Sequence, residues 1–95
     1  MIVFELTMPN RGSWNGHWSQ ENDRHMIFRK NRLVPKDVIG KDFIYSWEDG
    51  WTACVNVSKV DTKSANKLKK INKGFCGYDW MVSSIIKNGK IKRPE

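Results

Sequence analysis

A short segment around Asn15 concentrates the residue types that bind an anionic, aromatic ligand. Trp14 and Trp18 offer flat indole faces on which a base could stack, an interaction worth about 1–3 kcal/mol per base. Arg11 and His17 could meet phosphate, because a guanidinium forks onto phosphate oxygens and a histidine gains charge as the pH falls. Asn15 and the neighbouring glycine backbone would read the base edge. The alternative is that both indoles pack back over the fold.

A second aromatic group flanks a predicted hairpin turn. Trp47 and Trp51 lie near enough across two strands to stack on each other, and such pairs usually stabilise a hairpin. On an exposed sheet face the same pair would instead form a wall of a binding site, with Tyr45 and Asn56 making polar contacts. The sequence leaves both interpretations open.

Three lysines form a coherent stripe on the first predicted helix. Lys63, Lys67 and Lys70 follow the spacing i, i+4, i+7, which places them on one face. A stripe of this kind can follow phosphates, and its affinity then falls steeply with salt. The plainer interpretation is a solvated helix face.

Composition limits the class of protein. The 95 residues suffice for one domain, spanning positions 1–95, and the 39% hydrophobic content is too high for a disordered chain. No apolar run approaches the roughly 20 residues of a membrane span. The net charge of +7 lies entirely in residues 59–95, whereas four of the five Trp precede them. Anionic partners are therefore favoured.

The sequence predicts no enzyme, no metal site and no cofactor. The acidic residues are scattered through loops and turns, without the paired groups that acid–base catalysis needs. Cys54 and Cys76 lack the close partners of a structural zinc site, and a disulfide between them stays open. A reduced, cytoplasmic protein is expected, since no secretion signal opens the sequence.

The elements that must position these residues are strands followed by helices. Residues 2–8 alternate between apolar and polar types, and residues 24–32 form a plausible second strand. Residues 42–47 and 51–60 are β-rich runs around Glu48-Asp49-Gly50, a strong hairpin signal. These patterns predict a three- or four-stranded antiparallel sheet.

Two helices are predicted after the sheet. Asp61 or Thr62 caps the first helix. Its narrow apolar stripe consists of Ala65, Leu68 and Ile71, and the helix ends at Gly74. Residues 78–88 form the second, stopped by Gly89, and residues 90–95 are expected to fray. We therefore predict an α+β domain whose sheet, built from N-terminal strands and a Trp-flanked hairpin, is covered on one face by two C-terminal helices.

Four sequence blocks carry a resemblance to a known group of proteins. They read FELTMPN at 4–10, GSWNGHW at 12–18, DGW at 49–51 and GFCGYDWM at 74–81. Together they resemble short proteins encoded by tailed bacteriophages. The resemblance implies a role in host takeover or counter-defence, either as an inhibitor of a host enzyme or as a sponge for nucleotide immune signals. It transfers no catalytic role to any residue.

The expected function is non-enzymatic sequestration of a nucleotide or cyclic nucleotide in the cytoplasm of the host cell. A homo-oligomer is expected, because a short chain forms deep pockets most readily at a subunit boundary. Two alternatives are a basic nucleic-acid-binding module and a protein inhibitor that coats a host defence enzyme. Salt dependence separates the first alternative from sequestration of one small ligand.

Overall fold

The structure, a computed structural model, describes residues 1–7, 25–48, 50, 52–71 and 78–93. In chain order the elements are β1 Ile2–Thr7, β2 His25–Arg29, β3 Asp42–Ser46, β4 Thr52–Lys59, α1 Thr62–Ile71 and α2 Asp79–Asn88. The strands form one antiparallel sheet in the order β2-β1-β4-β3, and the two helices follow. The predicted α+β class is confirmed, with four strands.

Strand β1 is an inner strand of the sheet, and its residues 2–4 are buried on both faces. Its backbone pairs with β2 on one side and β4 on the other, so Phe4 stands opposite Ile27 and Val57. Phe4 is fully buried on one face, and Val3 is only 2% exposed on the other. A strand with one solvated face would instead alternate between buried and exposed residues.

The main core lies on the face of the sheet that contains Phe4. Helix α2 buries Met81, Val82 and Ile85 against this face. The helix ends where predicted, at Gly89, whose φ of 72° places it in the left-handed region and whose N–H donates to the Ile85 carbonyl. Glycine takes this conformation without a Cβ clash.

The hairpin of β3 and β4 forms as the sequence predicts. Ser46 stands opposite Thr52, and Gly50 in the connection has a φ of 95°. Asp49 and Trp51 lie outside the described residues. In β4 the buried residues alternate with partly exposed or exposed ones, so one face of the strand is core and the other is more open.

A turn and a bulge at Gly40 lead the chain into β3. Ile39 has φ −73° and ψ 130°, and Gly40 has φ 88°, the angles of a type II turn closed by the bond from the Lys41 N–H to the Val38 carbonyl. Gly40 and Lys41 then share a single partner, Val57, which is a G1 bulge. The positive φ explains why glycine occupies this position.

Helix α1 contacts the opposite face of the sheet from α2. The Lys69 Nζ lies 5.4 Å from the centre of the Phe28 ring, and Phe28 pairs with Val3 on the second face. Ala65 is fully buried but does not belong to the main core. The two helices therefore lie on opposite faces of the sheet, and the prediction that both cover the same face is wrong. Apolar residues at alternate β1 and β2 positions, namely Val3, Met26 and Phe28, require a cover on the second face as well.

Asp61 caps the N-terminus of α1, as predicted. Its carboxylate accepts a 2.7 Å hydrogen bond from the Ser64 N–H, and its carbonyl accepts the first helical bond, from the Ala65 N–H. Hydrogen bonds from the backbone and the side chain of Ser64 hold the pKa of Asp61 below its ordinary value of 3.8. The charged form is thus the one that the folded state favours.

The capping bond predicts an acid-dependent loss of stability at α1. A lowered folded-state pKa means that Asp61 contributes fully above pH 3.8 and that this contribution is lost as the pH falls through the folded value. We expect Asp61→Asn, which keeps a capping oxygen but does not titrate, to flatten this part of the acid profile slightly. Thermal melts followed by circular dichroism, at a series of pH values across the acid range, measure how the melting temperature depends on pH. Asp61→Ala should lower the melting temperature at neutral pH too, and equal acid profiles for all three proteins would contradict the cap.

The residues after α2 are held against the fold instead of fraying. Ser84 donates a 2.7 Å hydrogen bond to the Lys90 carbonyl and accepts another from the Lys92 N–H. Ile91 is half-buried and packs against the main core. The expectation of a frayed tail is therefore wrong for residues 90–92, because a helix side chain supplies the partners that their backbone needs.

Among the described residues, no helix combines the length and the apolar character that crossing a membrane would require.

Candidate functional site

A basic pocket opens between one face of α2 and the segment that follows the helix. Its volume is about 580 Å³, within the roughly 300–1,000 Å³ range of small-ligand sites. The helix and the following segment each contribute side chains. The lining residues are Trp80, Ser83, Ser84, Lys87, Asn88, Lys92 and Arg93.

Helix periodicity places the α2 contributors on one face. Trp80, Ser84 and Lys87 follow the spacing i, i+4, i+7, and Ser83 lies beside them. The residues between them, such as Met81 and Val82, point into the core. One face of α2 therefore anchors the helix while the adjacent face lines the pocket.

Among the residues that the structure describes, three cationic side chains and no acidic one line this pocket. Lys87 comes from the last turn of α2, and Lys92 and Arg93 come from the following segment. All three side chains are exposed. The helix C-terminus contributes roughly half a negative charge, which offsets only part of their sum. The pocket therefore favours an anion, and the planar Arg93 guanidinium can take two oxygens of a phosphate or carboxylate at once.

An aromatic cluster holds Trp80 beside the cations. The Trp80 ring meets Tyr45 edge-on, at 5.3 Å between centroids, and Tyr45 meets Trp47 in the same manner at 5.0 Å. Trp47 also lies 6.3 Å from Tyr78. Burial raises the pKa of Tyr78, so its hydroxyl stays neutral at physiological pH. Edge-to-face contacts of this kind add about 0.5–1.5 kcal/mol each and restrain the indole.

A second depression, of about 390 Å³, has the opposite charge. It lies on the other face of the sheet, where Glu5 and Asp42 line it together with Ile44 and Cys54. Cys54 is a half-buried free thiol. Two carboxylates disfavour an anionic ligand, so the pocket beside α2 is the better anion site of the two. The described residues contain no group of three or more His, Cys, Asp or Glu side chains that could hold a metal.

Of the predicted hairpin residues that the structure describes, Tyr45 and Trp47 lie on one face of the sheet and Asn56 lies on the other. Tyr45 and Trp47 are partly buried and pack against the main core, where they stabilise the fold and support Trp80. Asn56 lies on the other face of the sheet and donates a 2.7 Å hydrogen bond to Asp42. The structure thus separates Asn56 from the two aromatic side chains.

The predicted lysine stripe is present on α1. Lys63, Lys67 and Lys70 are all exposed, and α1 carries no acidic residue. Within the described part of the chain, no ion pair neutralises them. Lys69 differs from the three because its ammonium lies over the Phe28 ring, a cation–π contact.

The remaining predicted site residues lie outside the part of the chain that the structure describes. They are Arg11, Trp14, Asn15, His17, Trp18 and Trp51. Their proposed contacts with a base and a phosphate stay predictions.

The pocket beside α2 escaped sequence reasoning because its two halves look unrelated in the sequence. Lys92 and Arg93 belong to a segment expected to fray, and Ser84 is one polar residue within an apolar helix pattern. The usable signal was the spacing of Trp80 and Lys87 at i and i+7, together with Ser84 on the same face. A buried serine on a helix usually has a hydrogen-bond partner, which is often a backbone group.

Comparisons with known proteins assign nothing further to this geometry. No family model, no curated protein and no solved structure matches the chain.

Proposed function

We propose that this protein is a non-enzymatic binding protein that sequesters a nucleotide or a cyclic nucleotide, and that the pocket beside α2 holds the ligand. One observation carries the proposal: within the described part of the chain, three cations and an indole line a single pocket, and no acidic side chain does. A nucleotide needs that combination, because its phosphates are anionic and its base is flat and aromatic.

Each lining residue has a role in the proposed complex. Arg93 and the two lysines would neutralise phosphate oxygens, with Arg93 supplying the bidentate contact. Trp80 would contact the base with the part of its ring that lines the pocket. Ser83 and Asn88 carry hydroxyl and amide groups able to bond with base edges or ribose.

The resemblance to phage proteins supplies the proposed context. A chain that captures a nucleotide immune signal without turning it over would act stoichiometrically in the host cytoplasm, as a counter-defence protein. Association into a homo-oligomer would raise the number of sites per particle and could enclose each site further. Both features are proposals that follow from the ligand proposed for the pocket.

Thermal-shift measurements with a set of small ligands test the proposal. ADP and cyclic AMP should raise the melting temperature in proportion to the logarithm of their concentration, since a ligand at 100 times its Kd stabilises by about 2.7 kcal/mol. Adenosine, which lacks phosphate, and inorganic phosphate, which lacks a base, should each give smaller shifts. Equal shifts from adenosine and ADP, or no shift from a panel of nucleotides and cyclic dinucleotides, would refute the proposal.

A nucleic-acid-binding module is the second candidate, and the α1 stripe favours it. Lys63 and Lys70 are seven residues apart, or about 10 Å along the helix at 1.5 Å per residue, which suits an extended row of phosphates better than one nucleotide. Binding of a single-stranded oligonucleotide through this row would weaken steeply as salt rises, whereas ADP binding would weaken less. A steep oligonucleotide slope that disappears in Lys63→Gln/Lys67→Gln/Lys70→Gln would favour this second function.

A further inference from the structure

We infer that Ser84 is a positioning residue that builds the pocket beside α2 by holding residues 90–93 in place, although its own hydroxyl has no capacity left for a ligand. The inference rests on the proposed function and identifies what controls affinity at that site. It makes the pocket a two-part site, with one part on the helix and the other on a segment that a single side chain attaches.

The hydrogen-bonding capacity of Ser84 is fully used within the protein. A hydroxyl has one donor and two acceptor positions. Ser84 donates to the Lys90 carbonyl at 2.7 Å, and it accepts from the Lys92 N–H at 2.7 Å and from the Asn88 side-chain amide at 3.4 Å. The residue is only 8% exposed. Ser84 therefore acts on a ligand through other residues.

The segment after α2 depends on these bonds. Gly89, in its left-handed conformation, ends the helix and redirects the chain. Among the described residues, residues 90–93 make hydrogen bonds to Ser84 alone, and Ile91 adds an apolar contact with the core. Lys90, Lys92 and Arg93 are exposed. Loss of the Ser84 hydroxyl should therefore release this segment while leaving the buried core intact.

Release of the segment would remove two of the three cations from the pocket. Lys92 and Arg93 belong to the segment, whereas Lys87 belongs to the helix and would stay. The effect must be reciprocal, because a ligand that binds the attached form shifts the segment towards that form. Bound nucleotide should thus slow amide hydrogen exchange at Lys92.

A double-mutant cycle with ADP as the probe tests the inference. We expect Ser84→Ala to raise the Kd of ADP roughly tenfold. In the double variant Ser84→Ala/Arg93→Gln, the Kd of ADP should rise by much less than the product of the two single fold-increases, because both changes remove the same cation from the pocket. In the double variant Ser84→Ala/Lys87→Gln, the fold-increase in the Kd of ADP should equal the product of the two single fold-increases. Ser84→Thr, which keeps the hydroxyl, should bind ADP close to the wild-type level.

Amide exchange at Lys92 provides a readout that needs no ligand. Ser84→Ala should lose protection of this amide while its melting curve shows that the domain is folded, and Ser83→Ala is the matched control that should keep the protection. Unchanged protection in Ser84→Ala, or full multiplicative effects with Arg93→Gln, would overturn the inference while leaving nucleotide binding in place. Failure of the wild-type protein to bind ADP would instead count against the proposed function, and the exchange result would then decide the role of Ser84 alone.

Discussion

Replacing Lys87, Lys92 and Arg93 together by glutamine should weaken ADP binding by roughly 100-fold. In the proposed complex each side chain would make a charge-assisted contact with phosphate, and three contacts of about 1 kcal/mol each correspond to this factor. All three side chains are exposed, so the melting temperature should change little. Isothermal titration calorimetry of the wild type and the triple variant measures the change directly.

A triple variant with the same loss of charge elsewhere is the matched control. Lys30, Lys36 and Lys41 are exposed and do not line the pocket, so their replacement by glutamine should leave the Kd within about twofold. Equal weakening in both triple variants would show that ADP responds to the overall charge of +7 and not to the pocket. That result would contradict the proposed site.

Truncation of Phe4 to alanine should produce the largest loss of stability, about 3–5 kcal/mol. Phe4 is fully buried on β1 and stands opposite Ile27 and Val57, so neighbouring strands and α2 cannot fill the space without moving. A loss of this size is a large part of the total stability of a small domain. Urea unfolding followed by circular dichroism measures the free energy of unfolding.

The control for Phe4 is an apolar residue of the same sheet that is exposed. Ile44 on β3 is 67% exposed, and Ile44→Ala should change the free energy of unfolding by no more than about 0.5 kcal/mol. If Phe4→Ala and Ile44→Ala destabilised the protein equally, the placement of the main core on the Phe4 face would be wrong.

Local signals were sufficient to predict most of the elements. Asp49-Gly50 between two β-rich runs indicated the hairpin, Asp61 indicated the start of α1 and Gly89 indicated the end of α2. Each signal reflects a backbone requirement that one or two residue types satisfy best, such as the left-handed conformation at Gly89. Patterns of this kind can be detected without knowledge of the tertiary packing.

The side of the sheet taken by α1 depends on a longer-range requirement. The stripe of Ala65 and Leu68 shows that α1 buries a narrow face, but not against which surface. The relevant information lay in β1 and β2, where Val3 and Phe28 occupy positions that a sheet with one solvated face would give to polar residues. Such an inference requires the strand register, which only the assembled sheet provides.

Predicting the pocket beside α2 required a contact between two separate parts of the chain. A single hydroxyl, that of Ser84, attaches the segment that carries Lys92 and Arg93, and serine is too common in helices for its bonding partner to be predicted. The α1 stripe, by contrast, was predicted correctly because helix spacing alone defines it. Sites built within one element are therefore easier to predict than sites that join two.

Indole N–H signals in a two-dimensional ¹⁵N NMR titration with ADP test the central claim most directly. The five Trp give distinct probes, and of the two Trp that the structure describes, Trp47 and Trp80, the pocket is lined by Trp80. We predict a saturable shift of the Trp80 signal, accompanied by the backbone signals of Lys87, Lys92 and Arg93. A Trp80 signal that stays fixed at saturating ADP, whether the Trp14 and Trp18 signals move or none does, would contradict the account.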